Sequence, residues 1–230
     1  LGEVLPPREH AAWRAQAAPF RQPQPAAPAD GFPTPQQVIE TLARLTPDNA
    51  QIVTDVGQHQ MWTAQYYPFE QPRTFITSGG LGAMGFGLGA SIGACLAHPE
   101  RKTILVSGDG SFHMNLNELA TLVSYRLPIV DLVMNNTVLG MVRQWQTVFY
   151  DRRYAQTAPC RQTDFVRLAE AFGAQGFRIE RPDQIEPVLQ EALSCGGPCV
   201  VDCRISPDAM VLPMIPPGRA VQDTINVFME

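Results

Sequence analysis

The stretch KTILVSGDGSFHMNLNELATLVSYRLPIVDLVMNN, residues 102–136, decides the fold of this chain. It predicts an apolar strand over 102–108, a helix over 117–127 and a second apolar strand over 128–136. A strand, a helix and a strand in this order form a right-handed crossover between parallel strands. The stretch therefore predicts a parallel sheet, with the polar segments GDGS and NN at the ends of neighbouring strands.

The same alternation continues on both sides of this unit. The further predicted strands are 51–56 and 198–205, and the further predicted helices are 34–45, the later part of 80–97, 141–149, 164–173 and 184–193. Helices between short apolar strands predict the α/β class, here a doubly wound, mainly parallel sheet with helices on both faces. Ligands of such sheets bind beyond the carboxyl ends of the strands, which are expected at 56–60, 77–82, 108–113 and 135–141.

Composition divides the chain into three predicted segments. Residues 1–30 are rich in Pro, Ala and Gln and lack sustained periodicity, which is typical of a linker or extended tail. Residues 31–205 carry the strand and helix patterns and are expected to form the folded domain. Residues 206–230 are expected to form a C-terminal arm.

The charge and cysteine content exclude several classes of function. The net charge is −5 without a run of like charges, which argues against nucleic acid and anionic membranes as partners. No apolar stretch approaches the length that spans a bilayer, and no secretory signal is visible. Five cysteines favour reduced thiols and a cytoplasmic location. Cys199 and Cys203 lie about 13 Å apart on a strand, at ~3.3 Å per residue, which disfavours a shared zinc ion.

The GDGS and NN segments carry the first functional prediction. Asp109 directly follows one strand and Asn136 follows the next, so their side chains are expected to lie close together. Carboxylate and amide oxygens suit Mg²⁺, and diphosphate oxygens can complete its octahedron. Gly108 and Gly110 let the backbone approach a phosphate closely. A simple turn followed by an Asn-rich turn is the competing interpretation.

These residues are similar to a known motif. GDGSF…MNN resembles the diphosphate and magnesium motif of thiamine-diphosphate enzymes. Four further segments resemble acetolactate synthase catalytic subunits, namely DVGQHQMW (55–62), SGGLGAMGFGLGASIGA (78–94), LGMVRQWQTVFYDRRY (139–154) and VLPMIPPG (211–218). The resemblance covers about residues 34–220. It departs at Gly89, where the family usually has proline, and we expect a local effect on stability there.

The resemblance implies a role for each matching residue. Asp109 and Asn136 would bind Mg²⁺ through side-chain oxygens, and Val138 through its carbonyl. The residues around the cofactor diphosphate would be Gly57, Gln58, His59, Gly108, Gly110, Ser111, Gly140 and Met141. The Gly82 carbonyl would accept a hydrogen bond from the aminopyrimidine, and Met84 would hold the cofactor bent. Trp145 would line the pocket for the second substrate.

The resemblance also implies an activity and partners. Pyruvate would condense with a second 2-oxo acid, either pyruvate or 2-oxobutyrate, in branched-chain amino acid biosynthesis. A homodimer or tetramer is implied, because the glutamate that activates the cofactor lies on a pyrimidine-binding domain of the neighbouring subunit. The family also carries FAD in a non-redox role, and a small regulatory subunit can be present. We therefore expect this chain alone to hold half a site and to be inactive.

Other interpretations stay open at this point. Residues 80–85 fit G-x-G-x-x-G, which is typical of dinucleotide-binding turns. A 2-oxo-acid decarboxylase or oxidase would share GDG…NN, and a non-catalytic domain of the same fold would bind no cofactor. His59, Met84 and Trp145 could each simply pack the core.

Overall fold

The computed structural model describes residues 10–18 and 31–226, and in these ranges the chain forms one six-stranded sheet. The strands are β1 (Gln51–Thr54), β2 (Phe75–Thr77), β3 (Thr103–Gly108), β4 (Ile129–Asn135), β5 (Gln175–Ile179) and β6 (Cys199–Arg204). Their order is β2-β1-β3-β4-β6-β5, and every neighbouring pair is parallel. The sheet is thus wholly parallel, where the sequence predicted a mainly parallel one.

Helices cover both faces of the sheet. The α-helices of the described residues are α1 (Ala11–Ala17), α2 (Pro35–Leu45), α3 (Gln58–Tyr66), α4 (Phe86–Ala97), α5 (Asp109–Phe112), α6 (Leu119–Ser124), α7 (Gly140–Phe149), α8 (Phe165–Phe172) and α9 (Ile185–Ser194), of which α1 does not pack on the sheet. The start of α2 follows the sequence pattern, because Thr34 and Gln37 exchange side-chain and backbone hydrogen bonds of 3.1 and 3.2 Å. Pro35 fits the first turn, where no N–H partner is needed.

Each face of the sheet buries its own core. Ile104 of β3 packs with α2, α3 and α9, whereas the next residue, Leu105, packs with α4, α6 and α8. Successive side chains of a strand point to opposite faces, so a strand that is apolar throughout requires cover on both. The predicted doubly wound α/β class is confirmed.

Several elements differ from the sequence prediction. Neither α3 nor β5 was predicted, and the short helix α5 directly follows β3. The helix predicted over 117–127 begins as a 3-10 turn, Leu116–Glu118, and continues as the shorter α6. Within the predicted tail, α1 is a helix that buries none of its side chains. The rest of that tail, residues 1–9 and 19–30, lies outside the described residues.

The segment after β6 is held against the domain by α7. The buried Gln144 side chain donates to the Val211 carbonyl at 2.9 Å and accepts from the Val211 N–H at 2.8 Å. Further along, Met214 and Ile225 form an antiparallel bridge. None of the helices in the described ranges has the length and apolar character that a membrane crossing requires.

Candidate functional site

Two polar residues meet where β3 and β4 end. The strands are parallel neighbours with Gly108 opposite Met134, so the residues that follow them lie side by side. Asp109 and Asn136 are both buried there, and the Asn136 backbone N–H donates to the Asp109 carboxyl. The structure therefore brings the GDG and NN segments together at one edge of the sheet.

Asp109 is a buried carboxylate with little compensation for its charge. Burial raises the pKa of its carboxyl to about 6, although the Gly110 N–H, the Arg161 charge and the Asn136 N–H act in the opposite direction. Loss of hydration disfavours the ionised form, and a bound cation restores it. The position is therefore suited to a divalent cation.

Asn136 lies in a short loop that its own side chain helps to hold. Its Oδ1 accepts from the Val138 N–H at 3.1 Å, and its Nδ2 donates to Gln58 Oε1 at 3.2 Å. Gln58 in turn donates to Gln144 Oε1 at 2.9 Å. These bonds connect the loop after β4 to α3 and α7, and they fix the direction of the Asn136 amide.

Two glycines leave space around these side chains. A Cβ on Gly140 would lie 2.0 Å from Gln58 Oε1. A Cβ on Gly110 would lie 2.9 Å from Leu139 Cδ2 and 3.9 Å from Met84 Cε. Any side chain at these positions would displace its neighbours, so glycine allows a close approach to the backbone.

The His59 ring lies against two glycines, Gly57 and Gly108, which belong to different turns. A Cβ on Gly108 would lie 2.7 Å from its Nδ1, and a Cβ on Gly57 would lie 2.9 Å from its Cε1. Burial lowers the pKa of the imidazole to about 3, and a hydrogen bond with the Asp55 backbone opposes this only in part. His59 is therefore neutral at physiological pH. Its Nε2 is buried and finds no hydrogen-bond partner in the described part of the chain.

Ser111 was expected beside the diphosphate, but its hydroxyl turns back to the chain. The hydroxyl donates to the Gly108 carbonyl and accepts from the Gly108 N–H, both at 3.2 Å. Because Ser111 is buried as well, its side chain shapes the start of α5. The expected place of Ser111 beside the diphosphate stays a prediction.

Asp55, which the sequence did not single out, organises the glycine-rich turn before α4. Its carboxylate accepts from the Gly85 N–H at 2.9 Å and from the Gly87 N–H at 3.0 Å. These N–H groups at the start of α4 are the ones that a dinucleotide pyrophosphate would need. The dinucleotide interpretation of residues 80–85 is therefore disfavoured. A signal was available, because Asp55 follows β1 directly as Asp109 follows β3.

The same turn brings Gly82 and Met84 to the edge of the site. Gly82 has a φ of +69°, and its N–H donates to the Ser78 carbonyl at 3.2 Å. Met84 is 38% exposed, although its Cε approaches the position of a Cβ on Gly110. The turn after β2 thus places a flexible apolar side chain beside the GDG segment.

Trp145 lines an open cavity next to α7. The cavity has a volume of about 510 Å³ and is lined by Met141, Val142, Trp145, Gln146, Tyr150 and Arg153. Trp145 is 38% exposed, and its ring meets Phe149 edge-on at 5.5 Å. Part of the indole is therefore accessible from the cavity. Met141, which was expected beside the diphosphate, also lines this cavity.

The residues present fit a metal and a phosphate group together. In residues 10–18 and 31–226, no three His, Cys, Asp or Glu side chains converge as a complete metal site. A cation at Asp109 would therefore need the Asn136 amide, a main-chain carbonyl and oxygens of its ligand, as Mg²⁺ commonly does. The orphaned His59 Nε2 is a further sign of a site that a ligand completes.

Several known proteins are similar in sequence to this chain. The yeast Saccharomyces cerevisiae mitochondrial acetolactate synthase catalytic subunit is 39% identical, over all of this chain and 34% of its own length. The acetolactate synthase large subunit of Haemophilus influenzae is 46% identical over 85% of this chain and 34% of its own length. The isozyme 3 large subunit of Escherichia coli is 52% identical over 69% of this chain and 28% of its own length.

These relatives are longer than the chain. The chain spans about a third of the length of these curated relatives. Residues 55–203 match the family described as thiamine pyrophosphate enzyme, C-terminal TPP binding domain, where TPP is thiamine diphosphate. That range begins at Asp55, contains both Asp109 and Asn136, and ends in β6. The resemblance to acetolactate synthases is thereby confirmed, and the chain belongs to the thiamine pyrophosphate enzymes as their C-terminal TPP-binding domain.

Proposed function

We propose that this chain holds the diphosphate of thiamine diphosphate through Mg²⁺, in an enzyme that condenses pyruvate with a second 2-oxo acid. The products would be acetolactate, or acetohydroxybutyrate when the second acid is 2-oxobutyrate. The observation that carries the proposal is the meeting of Asp109 and Asn136 at neighbouring strand ends. The choice of reaction rests on the similarity to acetolactate synthases.

The metal would be held by three oxygens of the chain. Asp109 and Asn136 would each supply a side-chain oxygen, and Val138 its carbonyl. The Asn136 Oδ1 now accepts from the Val138 N–H, so its second lone pair is the one left for a metal. The remaining positions would go to diphosphate oxygens and water.

The chain's own part in the chemistry is to bind, orient and exclude water. Thiamine diphosphate, when bound, supplies the electron sink that carbon–carbon bond formation at a 2-oxo acid needs. The Gly82 carbonyl would accept from the aminopyrimidine amino group, and Met84 would fix the bent shape of the cofactor. A fixed geometry lowers the entropic cost of bringing reacting atoms together.

Trp145 would select the second substrate. Pyruvate and 2-oxobutyrate differ by one methylene, which a well-formed apolar pocket discriminates by ~1–3 kcal/mol. The cavity is lined by Trp145 and by Arg153, among other residues. The indole would contact the extra carbon, and the nearby positive charge suits the carboxylate of an oxo acid.

The remaining partners rest on the family resemblance alone. A neighbouring subunit would supply the glutamate that activates the cofactor, in a homodimer or tetramer, and FAD would bind elsewhere in the enzyme. A small regulatory subunit would also fit this family. The cytoplasmic location stays a prediction, since the yeast relative is named as mitochondrial.

Calorimetric titration with thiamine diphosphate tests the binding half of the proposal. We expect saturable binding with Mg²⁺ present and none once EDTA removes the metal. Asp208→Asn, a change in an exposed carboxylate of the C-terminal arm, serves as the control and should bind as the parent does. Binding that ignores Mg²⁺ would refute the metal assignment, and no binding in either condition would refute the proposal.

Product choice in the intact enzyme tests the role of Trp145. Trp145→Leu should lower the ratio of acetohydroxybutyrate to acetolactate about tenfold, while turnover of pyruvate alone survives. Phe149→Leu is the matched control, because Phe149 contacts the Trp145 ring but does not line the cavity. Competition assays with both oxo acids measure the ratio. An unchanged ratio in a folded Trp145 variant would remove this residue from substrate selection.

A further inference from the structure

Asp202 is a fully buried carboxylate on β6, outside the GDG and NN segments. Its Oδ1 accepts from the Asn135 Nδ2 at 2.7 Å. Its Oδ2 lies 3.2 Å from the Arg204 guanidinium and 3.3 Å from Arg178 Nε, without hydrogen-bond geometry to either. A buried carboxylate is costly unless it is paired, so these contacts identify a maintained charge in the sheet.

Asn135 carries this arrangement into the loop that follows β4. While its Nδ2 donates to Asp202, its Oδ1 accepts from the Thr137 N–H at 3.2 Å. Thr137 has a φ of +62°, a left-handed conformation that a β-branched residue rarely adopts. The Asn135 amide therefore stabilises an unfavourable backbone turn immediately after Asn136.

Asn136 depends on that turn for its direction. Its own Oδ1 accepts from the Val138 N–H, one residue beyond Thr137. If the backbone at Thr137 relaxed to an ordinary conformation, both the Asn136 amide and the Val138 carbonyl would change direction. Two of the three oxygens assigned to Mg²⁺ lie within this short loop.

We propose that Asp202 is a positioning residue for the metal-binding loop, acting through Asn135 on Thr137 and Asn136. The inference rests on the proposed function, because it assumes that Asn136 binds Mg²⁺. Asp202 itself does not touch the metal or the cofactor in this assignment. It fixes the orientation of one amide, and that amide fixes the backbone that carries the ligands, as outer-shell groups do at many metal sites.

The carboxylate of Asp202 matters because it offers a separate oxygen to each side, Oδ1 to Asn135 and Oδ2 to the two arginines. Asparagine at this position has one carbonyl oxygen, which cannot serve both Asn135 and the two arginines. An amide NH₂ turned toward Asn135 Nδ2 would set two donors against each other. Asp202→Asn should therefore release Asn135 while keeping the shape of the core.

Metal dependence of cofactor binding distinguishes this role from a structural one. Asp202→Asn should raise the Mg²⁺ concentration that half-saturates thiamine diphosphate binding about 10–100-fold. At saturating Mg²⁺ the affinity for thiamine diphosphate should return close to that of the parent. A residue that served the core alone would lower the melting temperature and leave the metal requirement of the folded protein unchanged.

Two further variants make the test decisive. Arg204→Gln removes a contact to the same carboxylate but keeps the Asn135 bond, so it should leave the Mg²⁺ requirement within about twofold of the parent. Asn135→Ala should raise that requirement as Asp202→Asn does, and the double variant should be no worse than Asn135→Ala alone. If the parent binds cofactor, two results would overturn the inference. One is an unchanged Mg²⁺ requirement in Asp202→Asn, and the other is a double variant whose Mg²⁺ requirement is the sum of the two separate effects. A parent that binds no cofactor would overturn the proposed function and this inference with it.

Discussion

Two glycine-rich segments lie at the carboxyl ends of strands of the same sheet and have different roles. The turn of residues 80–85 follows β2 and enters α4, whereas residues 108–111 begin with the last residue of β3 and continue as the first residues of α5. In the first, the Asp55 carboxylate already occupies the N–H groups at the start of the helix. In the second, Asp109 belongs to the segment itself, and the Gly110 and Asn136 N–H groups offset the burial of its carboxyl only in part.

The difference shows what makes a glycine-rich turn a ligand site. Glycine permits close approach of protein groups in both, since a Cβ on Gly108 would lie 2.7 Å from His59 Nδ1, so the difference lies in the two carboxylates. A Cβ on Gly87 would lie 2.7 Å from Leu105 Cδ1, so glycine there allows α4 to pack against β3. The turn of residues 80–85 thus stabilises the start of α4. The segment of residues 108–111 instead carries a buried carboxylate, whose charge a cation could neutralise.

Removal of the Asp109 carboxylate should have the largest effect of any change in the two turns. Asp109→Ala should abolish Mg²⁺-dependent binding of thiamine diphosphate, because it removes the one charged ligand from the site. Calorimetric titration measures this, and circular dichroism should show an intact fold. Retention of parental affinity would mean that the second turn, like the first, is only structural.

Removal of the Asp55 carboxylate should affect stability. Asp55→Ala leaves the Gly85 and Gly87 N–H groups without their acceptor, and should lower the free energy of unfolding by about 2–3 kcal/mol. Urea unfolding in the absence of cofactor gives the value. The same measurement on Asp109→Ala should show no comparable loss, and equal destabilisation by the two changes would contradict the division of roles.

The pH dependence of metal binding sharpens the contrast. The pKa of the Asp109 carboxyl is about 6, above its ordinary value of 3.8, because of burial. Mg²⁺ binds the ionised form, so the affinity should fall below pH 6 and be roughly tenfold weaker at pH 5 than at pH 7. Titrations across this range test the expectation. A flat profile between pH 5 and pH 7 would contradict it.

The same pKa determines the sign of a stability effect. The folded state holds its proton more tightly than the unfolded state, so Asp109 opposes folding most strongly above pH 6. This penalty declines as the pH falls from 6 towards 3.8, and Asp109→Asn should remove it. Without metal, the parent should therefore gain stability relative to Asp109→Asn between pH 7 and pH 5, as measured by urea unfolding at each pH.

Local sequence predicted the central unit of the fold but missed neighbouring elements. The strands around the GDG and NN segments are long and apolar, so their pattern is clear. In contrast, α3 buries the polar residues Gln58, His59 and Thr63, and its apolar residues do not mark one face. The edge strand β5 is short and only partly buried, which weakens its alternation.

The site was predictable only where its residues adjoin in sequence or match a motif. Asp109 and Asn136 could be placed because strand order brings their strands together. Asp55 could have been singled out because it follows β1 directly, but its bonds to the turn before α4 depend on tertiary packing. Asp202 gave no such signal, since it lies inside β6 and its partner Asn135 is 67 residues away. The burial of His59 could not be predicted either, because its ring packs against glycines of two separate turns.

The smallest expected effect concerns α4, the helix that follows the turn of residues 80–85. Gly89 is exposed on α4, and the nearest atom to a Cβ there would be Asn115 Nδ2 at 4.0 Å. Gly89→Ala should therefore raise the free energy of unfolding by about 0.5–1 kcal/mol, since alanine favours the helix and nothing obstructs its methyl group. Gly87→Ala, two residues earlier, is the matched control and should destabilise by about 1–3 kcal/mol, because its Cβ would overlap Leu105. Urea unfolding of both variants measures the two signs, and a stabilised Gly87→Ala would show that the close packing of α4 does not require glycine.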